Sequence, residues 1–175
     1  QFPFRDKFRT LKALAQYKLF GFFDNNGFYV YNGFAAKQLY PLNEASVENT
    51  AAKINSIYEN FLSDCENAVV AVVPDKGFYL AEKSGHLSLD YNEIMRILQS
   101  KAPIGEYISL ADSLSEDCYY KTDTHWRQEK IAPAAEKIAA ALGAKLEDSY
   151  TESTATDKFY GVYYGQSALP LSSES

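Results

Sequence analysis

Ala68-Val69-Val70-Ala71-Val72-Val73-Pro74-Asp75-Lys76-Gly77 is an apolar, mostly β-branched run that stops at a polar turn. It has no polar alternation, so its strand is expected to be covered on both faces, as in a central parallel strand. Upstream, Val47, Ala51, Ile54, Ile57, Tyr58, Phe61 and Leu62 return every three or four residues and predict a helix over 43–64, with Glu44 and Glu48 favouring its N-terminal end. Downstream, Ile94, Met95, Ile97 and Leu98 predict a helix over 90–101 that ends before Pro103, and Tyr107-Ile108-Ser109-Leu110-Ala111 reads as a second short buried strand. Strands joined by helical connections of this length imply an α/β fold with a parallel sheet and right-handed crossovers. Ligands gather beyond the carboxyl ends of such strands, which draws Asp75 and Lys76 toward a site. A solvated turn is the competing reading of this loop.

The flanks are less regular. Phe4, Phe8, Leu11, Ala15 and Leu19, with Arg5, Lys7, Arg9 and Lys12 between them, predict an amphipathic helix over 4–20 whose apolar face docks on a core or on a membrane-proximal segment. In the segment Gly21–Tyr31, Asn26-Gly27 sits between aromatic and β-branched runs and predicts a hairpin, which Asn32-Gly33 ends. Its aromatics read as half-buried packing or, alternatively, as a sugar-stacking platform. His86 lies in a Gly/Ser-rich loop at no metal or triad spacing and is expected to be exposed. Ile131, Ala134, Ala135, Ile138, Ala139 and Leu142 mark a helix stopped by Gly143, and Pro133 requires a place in its first turn, so it begins near Ile131. Residues 147–157 are polar and predict a loop, Phe159–Tyr164 reads as a strand or hairpin arm, and Gly165-Gln166-Ser167 is an incomplete nucleophile-turn pattern.

With 175 residues the chain suits one domain, of a size that buries roughly 70% of its unfolded surface. It divides into an N-terminal helix and hairpin (1–42), an α/β core (43–146) and a terminal region (147–175). It is 46% hydrophobic and 23% charged, and no apolar run approaches the roughly 20 residues that span a bilayer. The start at Gln1, with neither Met nor a signal segment, is read as a mature or trimmed product from which any anchor has been removed. A net charge of −6 without a Lys/Arg cluster argues against nucleic acid as a partner. Cys65 and Cys118 form no Cys-x-x-Cys pair, so they are either one disulfide or two free thiols.

Chemistry is concentrated in Tyr119-Tyr120-Lys121-Thr122-Asp123-Thr124-His125-Trp126, which holds one of the two histidines. Asp123 and His125 are two apart, so in an extended segment they share a face. A carboxylate beside an imidazole fixes its tautomer and leaves the other ring nitrogen to take a proton from a serine hydroxyl. A structural Asp–His pair is the plainer alternative; metal ligation by the pair, with or without His86, has no supporting spacing.

This stretch resembles the signature of SGNH-hydrolase-like cell-surface proteins: the AlgX and AlgJ type of polysaccharide O-acetylation proteins and the DHHW proteins of Gram-positive bacteria. Phe2-Pro3-Phe4-Arg5-Asp6-Lys7-Phe8, Val73-Pro74-Asp75-Lys76 and Phe159-Tyr160-Gly161 are similar to theirs in the same order. Thr124 follows the AlgX and AlgJ pattern; the DHHW group usually has histidine there. Arg127 departs from the Thr or Asn that follows the tryptophan in relatives and caps the next helix. The resemblance implies a flavodoxin-like three-layer fold around a parallel sheet. It also implies a carbohydrate O-acetyltransferase or acetylesterase in which Asp123 orients His125 as general base, with no cofactor. Lys76, Tyr120 and Trp126 would support the site or contact substrate. The nucleophilic serine is expected downstream of Ser175, so the chain would be incomplete at its C-terminus. The implied partners are a polysaccharide or cell-wall glycan and a membrane acyl-transfer protein, at an extracytoplasmic location. A catalytically inactive polysaccharide-binding or assembly module of the same fold is the alternative.

Overall fold

The computed structural model describes residues 3–22, 24–147 and 149–174; Gln1, Phe2, Phe23, Asp148 and Ser175, each part of a stretch read above, lie outside them. The apolar run forms β3 (Val69–Val72), paired in parallel with β4 (Glu106–Ser109) in the register Val69 to Glu106 and Val72 to Ser109. Between them the chain makes α3 (Gly77–Ser84) and α4 (Tyr91–Lys101). Asp90 caps α4 by accepting from the N–H groups of Asn92 and Glu93, which satisfies donors that a helix start leaves open. The sequence reading missed α3, because its eight residues carry too short an apolar period to register between the glycine that opens it, Gly77, and the one that follows it, Gly85.

Three layers result. On one face α2 (Glu44–Ile57), capped by Asn43, packs on α4, and Ala51, Leu98 and Ala102 meet Val72 and Tyr107. On the other face α5 (Ala132–Ala141) sets Ala134 and Ile138 against Ile108, Leu110, Val69 and Ala71. Strand periodicity explains the division, since neighbouring residues point to opposite faces. β3 itself is only half-buried at all four positions, not fully covered as its composition predicts. Among the described residues the parallel sheet has two strands, so β3 lacks the neighbour that would seal its other edge.

The hairpin is β1 (Phe28–Tyr31) against β2 (Phe34–Lys37), and its turn is Asn32-Gly33, not Asn26-Gly27. Both pairs adopt the left-handed backbone that tight turns need. Asn26-Gly27 closes only a single bridge from Asn25 to Phe28, because Asn32-Gly33 is flanked on both sides by residues able to pair as strands. Tyr29, Phe34 and Ala36 are buried with Leu80, so the hairpin aromatics are largely packing. His86 is half-buried, not exposed: its ring stacks on Tyr29 at 3.8 Å between centroids. Cys65 and Cys118 are both free thiols, the first exposed and the second buried.

The largest departure is near the C-terminus. Val162–Ser167 is a short helix, α6, not a strand arm. Only the bridge of Phe159 to Glu174 has strand character there. Among the described residues no helix is long and apolar enough to cross a membrane.

Candidate functional site

The expected site stretch is a closed loop. Tyr119 and Trp126 form an isolated bridge, the Arg127 N–H donates to the Cys118 carbonyl at 2.7 Å, and the Tyr120 N–H donates to the His125 carbonyl at 3.1 Å. Asp123 and His125 therefore meet through a turn, not along an extended strand. Asp123 Oδ1 accepts from the His125 backbone N–H at 3.0 Å and lies 2.5 Å from His125 Nδ1. Its other oxygen, Oδ2, accepts from the Val162 N–H at 2.7 Å, at the start of α6.

Asp123 is buried, while the His125 side chain is 75% exposed. Burial pushes the Asp123 carboxyl up, but the backbone N–H groups of His125 and Val162 and the imidazole outweigh it and hold the carboxyl below its usual range. The carboxylate is thus ionised, anchored on both oxygens, and bonded to one nitrogen of a ring whose other nitrogen faces outward.

Two clefts share His125. One, of about 470 Å³, is lined by Tyr120, Asp123, His125, Trp126, Gln128 and Phe159, within the size range of small-molecule sites. The other lies on the β3 side and is lined by Val73, Pro74, Asp75, Tyr91, Tyr119, Thr124, His125 and Trp126. The loop after β3 therefore borders the site, as the topology predicts. Trp126 both packs on the core beside Ile108 and Leu110 and lines the two clefts. Tyr120 is half-buried, its ring 4.9 Å from that of Phe159.

Lys76 has a different place from Asp75. It is buried, and its ammonium donates to the carbonyls of Tyr120 at 2.7 Å, Lys121 at 3.1 Å and Asp123 at 2.8 Å. It holds the loop from beneath and does not line either cleft. Asp75 accepts from the Tyr91 hydroxyl at 2.6 Å and from the Gly77 N–H at 2.6 Å, so the turn after β3 is itself fixed.

A family model described as "ALGX: SGNH hydrolase-like domain, acetyltransferase AlgX" matches residues 34–163, most of the chain. The chain belongs to the AlgX family. No curated protein and no solved structure matched it. The matched span holds Lys76, the whole Tyr119–Trp126 loop and Gly161, and leaves α1 (Arg5–Leu14) and Glu174 outside.

In this AlgX-family domain the sequence reading missed the C-terminal half of the loop's support. Glu174 accepts from the N–H groups of Lys121 at 2.6 Å and Thr122 at 2.8 Å and from the Thr122 hydroxyl at 3.0 Å. Thr122 Oγ1 in turn accepts from the Gly161 N–H at 2.8 Å. A lone acid in a serine-rich tail carries no signal of such a role. Ser167 is not a nucleophile candidate: it is fully buried and its hydroxyl accepts from the Leu169 N–H at 3.1 Å. Among the described residues no group of three His, Cys, Asp or Glu side chains is placed to hold a metal ion.

Replacing Glu174 by Gln puts an amide on a site that faces only donors. A hydrogen bond to a charged acceptor contributes roughly 1.5–3 kcal/mol, so the variant is expected to lose about 2 kcal/mol. In a chain of this length that lowers Tm by about 4–8 °C. A melting curve superimposable on the wild type would show that Glu174 does not anchor the loop.

Proposed function

We propose that this domain supplies the acid–base pair of a carbohydrate O-acetyltransferase or acetylesterase. The observation that carries the reading is the bond from buried, doubly anchored Asp123 to a solvent-facing His125 at the junction of two clefts. Asp123 holds the imidazole in one tautomer, and the outward nitrogen takes the proton of a serine hydroxyl as that oxygen attacks an acyl carbonyl. The proton passes on to the leaving group. The acyl-enzyme is then resolved by a sugar hydroxyl, or by water, which His125 deprotonates in the same way. The serine is one lying downstream of Ser175 in the natural protein, the acceptor is a cell-surface glycan, and the acyl group arrives from a membrane acyl-transfer partner outside the cytoplasm.

Hydrolysis of p-nitrophenyl acetate by the full-length natural protein tests this. His125→Ala and Asp123→Ala should each lower the rate at least about 100-fold, the lower end of what a positioned acid or base contributes. Both variants should keep the wild-type far-UV spectrum.

The second reading, an inactive glycan-binding module, is favoured by the aromatic lining of the larger cleft, Tyr120, Trp126 and Phe159. It takes over if the wild-type protein hydrolyses nothing and both substitutions alter only stability.

A further inference from the structure

Helix α1 continues through a wider π turn (Ala15–Leu19) into the exposed Phe20 and Phe22. At about 100° per residue, Phe8 and Leu11 fall on one stripe of α1 that Ala15 continues, with Phe4 at the N-cap and Leu19 one wider π turn beyond Ala15 extending it at either end. Phe4 is 67%, Leu11 63% and Leu19 76% exposed, and Phe20 and Phe22 extend this apolar surface past the helix end. Lys7 and Lys18 border the stripe on one side, and Arg5 and Lys12 border it on the other.

The opposite side of the helix faces the body. Ala13 is fully buried there, and the Tyr17 hydroxyl exchanges hydrogen bonds with the Val30 carbonyl at 3.2 Å and the Val30 N–H at 3.3 Å. Arg9 also reaches the Gly165 carbonyl at 3.0 Å. The helix is therefore attached to the hairpin by one face and presents the apolar one outward.

Charge selects the occupant. The segment before Asp24 holds five cations, Arg5, Lys7, Arg9, Lys12 and Lys18, against the single acid Asp6, in a chain of net charge −6. Two copies meeting face to face would bring like-charged rims together. A convex apolar stripe bordered by long Lys and Arg stems matches a lipid interface, where the stems stay among the headgroups while the apolar face enters the acyl boundary.

We propose that α1 and the following segment to Phe22 form an interfacial anchor that lays this face of the protein on an anionic lipid surface. The proposal is independent of the acyl-transfer reading, since α1 lies outside the family match and shares no residue with the Asp123–His125 site. The acidic remainder of the chain is repelled by the same surface, which orients the molecule.

The test is co-sedimentation of the full chain with vesicles of phosphatidylcholine alone or with about one third phosphatidylglycerol. The comparison variants are Leu11→Glu/Leu19→Glu and Lys7→Glu/Lys12→Glu, and urea unfolding establishes that each remains folded. Wild type should bind the anionic vesicles about ten-fold more tightly than the neutral ones, and lose most of that in high salt. Each double variant should bind at the neutral-vesicle level. Equal binding to both vesicles, or anionic binding unchanged in either variant, overturns the proposal. So does a dimer that Leu11→Glu dissociates in the absence of vesicle binding, which would make the face a contact between copies.

Discussion

Gly161→Ala is expected to lower stability by about 3 kcal/mol, the upper end of what overpacking a filled site costs. An added Cβ would lie 2.3 Å from Asp123 Cβ, 2.4 Å from the Thr122 carbonyl oxygen and 2.6 Å from Asp123 Cα. The Gly161 backbone, at φ −77° and ψ 177°, is one that alanine adopts freely, so the whole cost is space. Two of those atoms are backbone, and no rotamer change relieves the contact. The start of α6 must move off the loop, taking with it the Gly161 N–H bond to Thr122 Oγ1, the Val162 N–H bond to Asp123 Oδ2 and the Tyr163 N–H bond to the Thr122 carbonyl. Alanine stiffens the unfolded chain and returns at most about 1 kcal/mol, so the clash dominates. Thermal melting should show Tm lower by about 6–12 °C. A variant melting with the wild type would mean that α6 does not rest on the loop.

Lys76→Met should cost about 3 kcal/mol near neutral pH, because it leaves three inward carbonyls without a donor at roughly 1–3 kcal/mol each while relieving the burial of a charge. Burial pulls the Lys76 amine down to about 7, against the upward pull of Glu174, Asp123 and Asp75. Three carbonyls favour the ammonium with its three N–H groups; burial favours the amine and wins. The folded value lies below that of the unfolded chain, so between about pH 7 and pH 10 the unfolded state holds more protons and stability rises with pH by up to about 1.4 kcal/mol per unit. Below pH 7 both states hold the proton and the Lys76 contribution is flat. The buried tyrosines oppose this only at higher pH, since burial raises Tyr29 and Tyr79 to about 12. Urea unfolding at about pH 7 and about pH 9 should show the wild-type advantage over Lys76→Met growing by about 2 kcal/mol. An advantage independent of pH would show that Lys76 keeps its proton throughout.

These two positions differ in how far the sequence announces them. Lys76 stands at the carboxyl end of an apolar strand, so topology alone points to it. Its direction, beneath the loop and away from the clefts, follows from packing between elements distant in the chain. Gly161 stands in a stretch that resembles the family's, Phe159-Tyr160-Gly161, but nothing local ties it to Asp123. Phe159–Tyr164 reads as a strand or hairpin arm from its aromatics, yet Val162–Ser167 forms a helix, because its first turn is placed by contacts with Thr122 and Asp123 that override local preference. The hairpin turns at the second Asn-Gly and not the first for a related reason: both pairs suit the turn, and strand pairing beyond it chooses between them.

By itself the sequence determined the strand–helix–strand order of the core and the stop of the last long helix at Gly143. It also determined the pairing of Asp123 with His125, two residues apart, because each of these depends on residues near one another in the chain. Only the tertiary structure decided which groups hold that pair in place. Lys76, Gly161, Val162 and Glu174 reach the loop from segments more than thirty residues away, through contacts that close when the elements pack. The outward face of α1 is decided in the same way, by whether the body covers it.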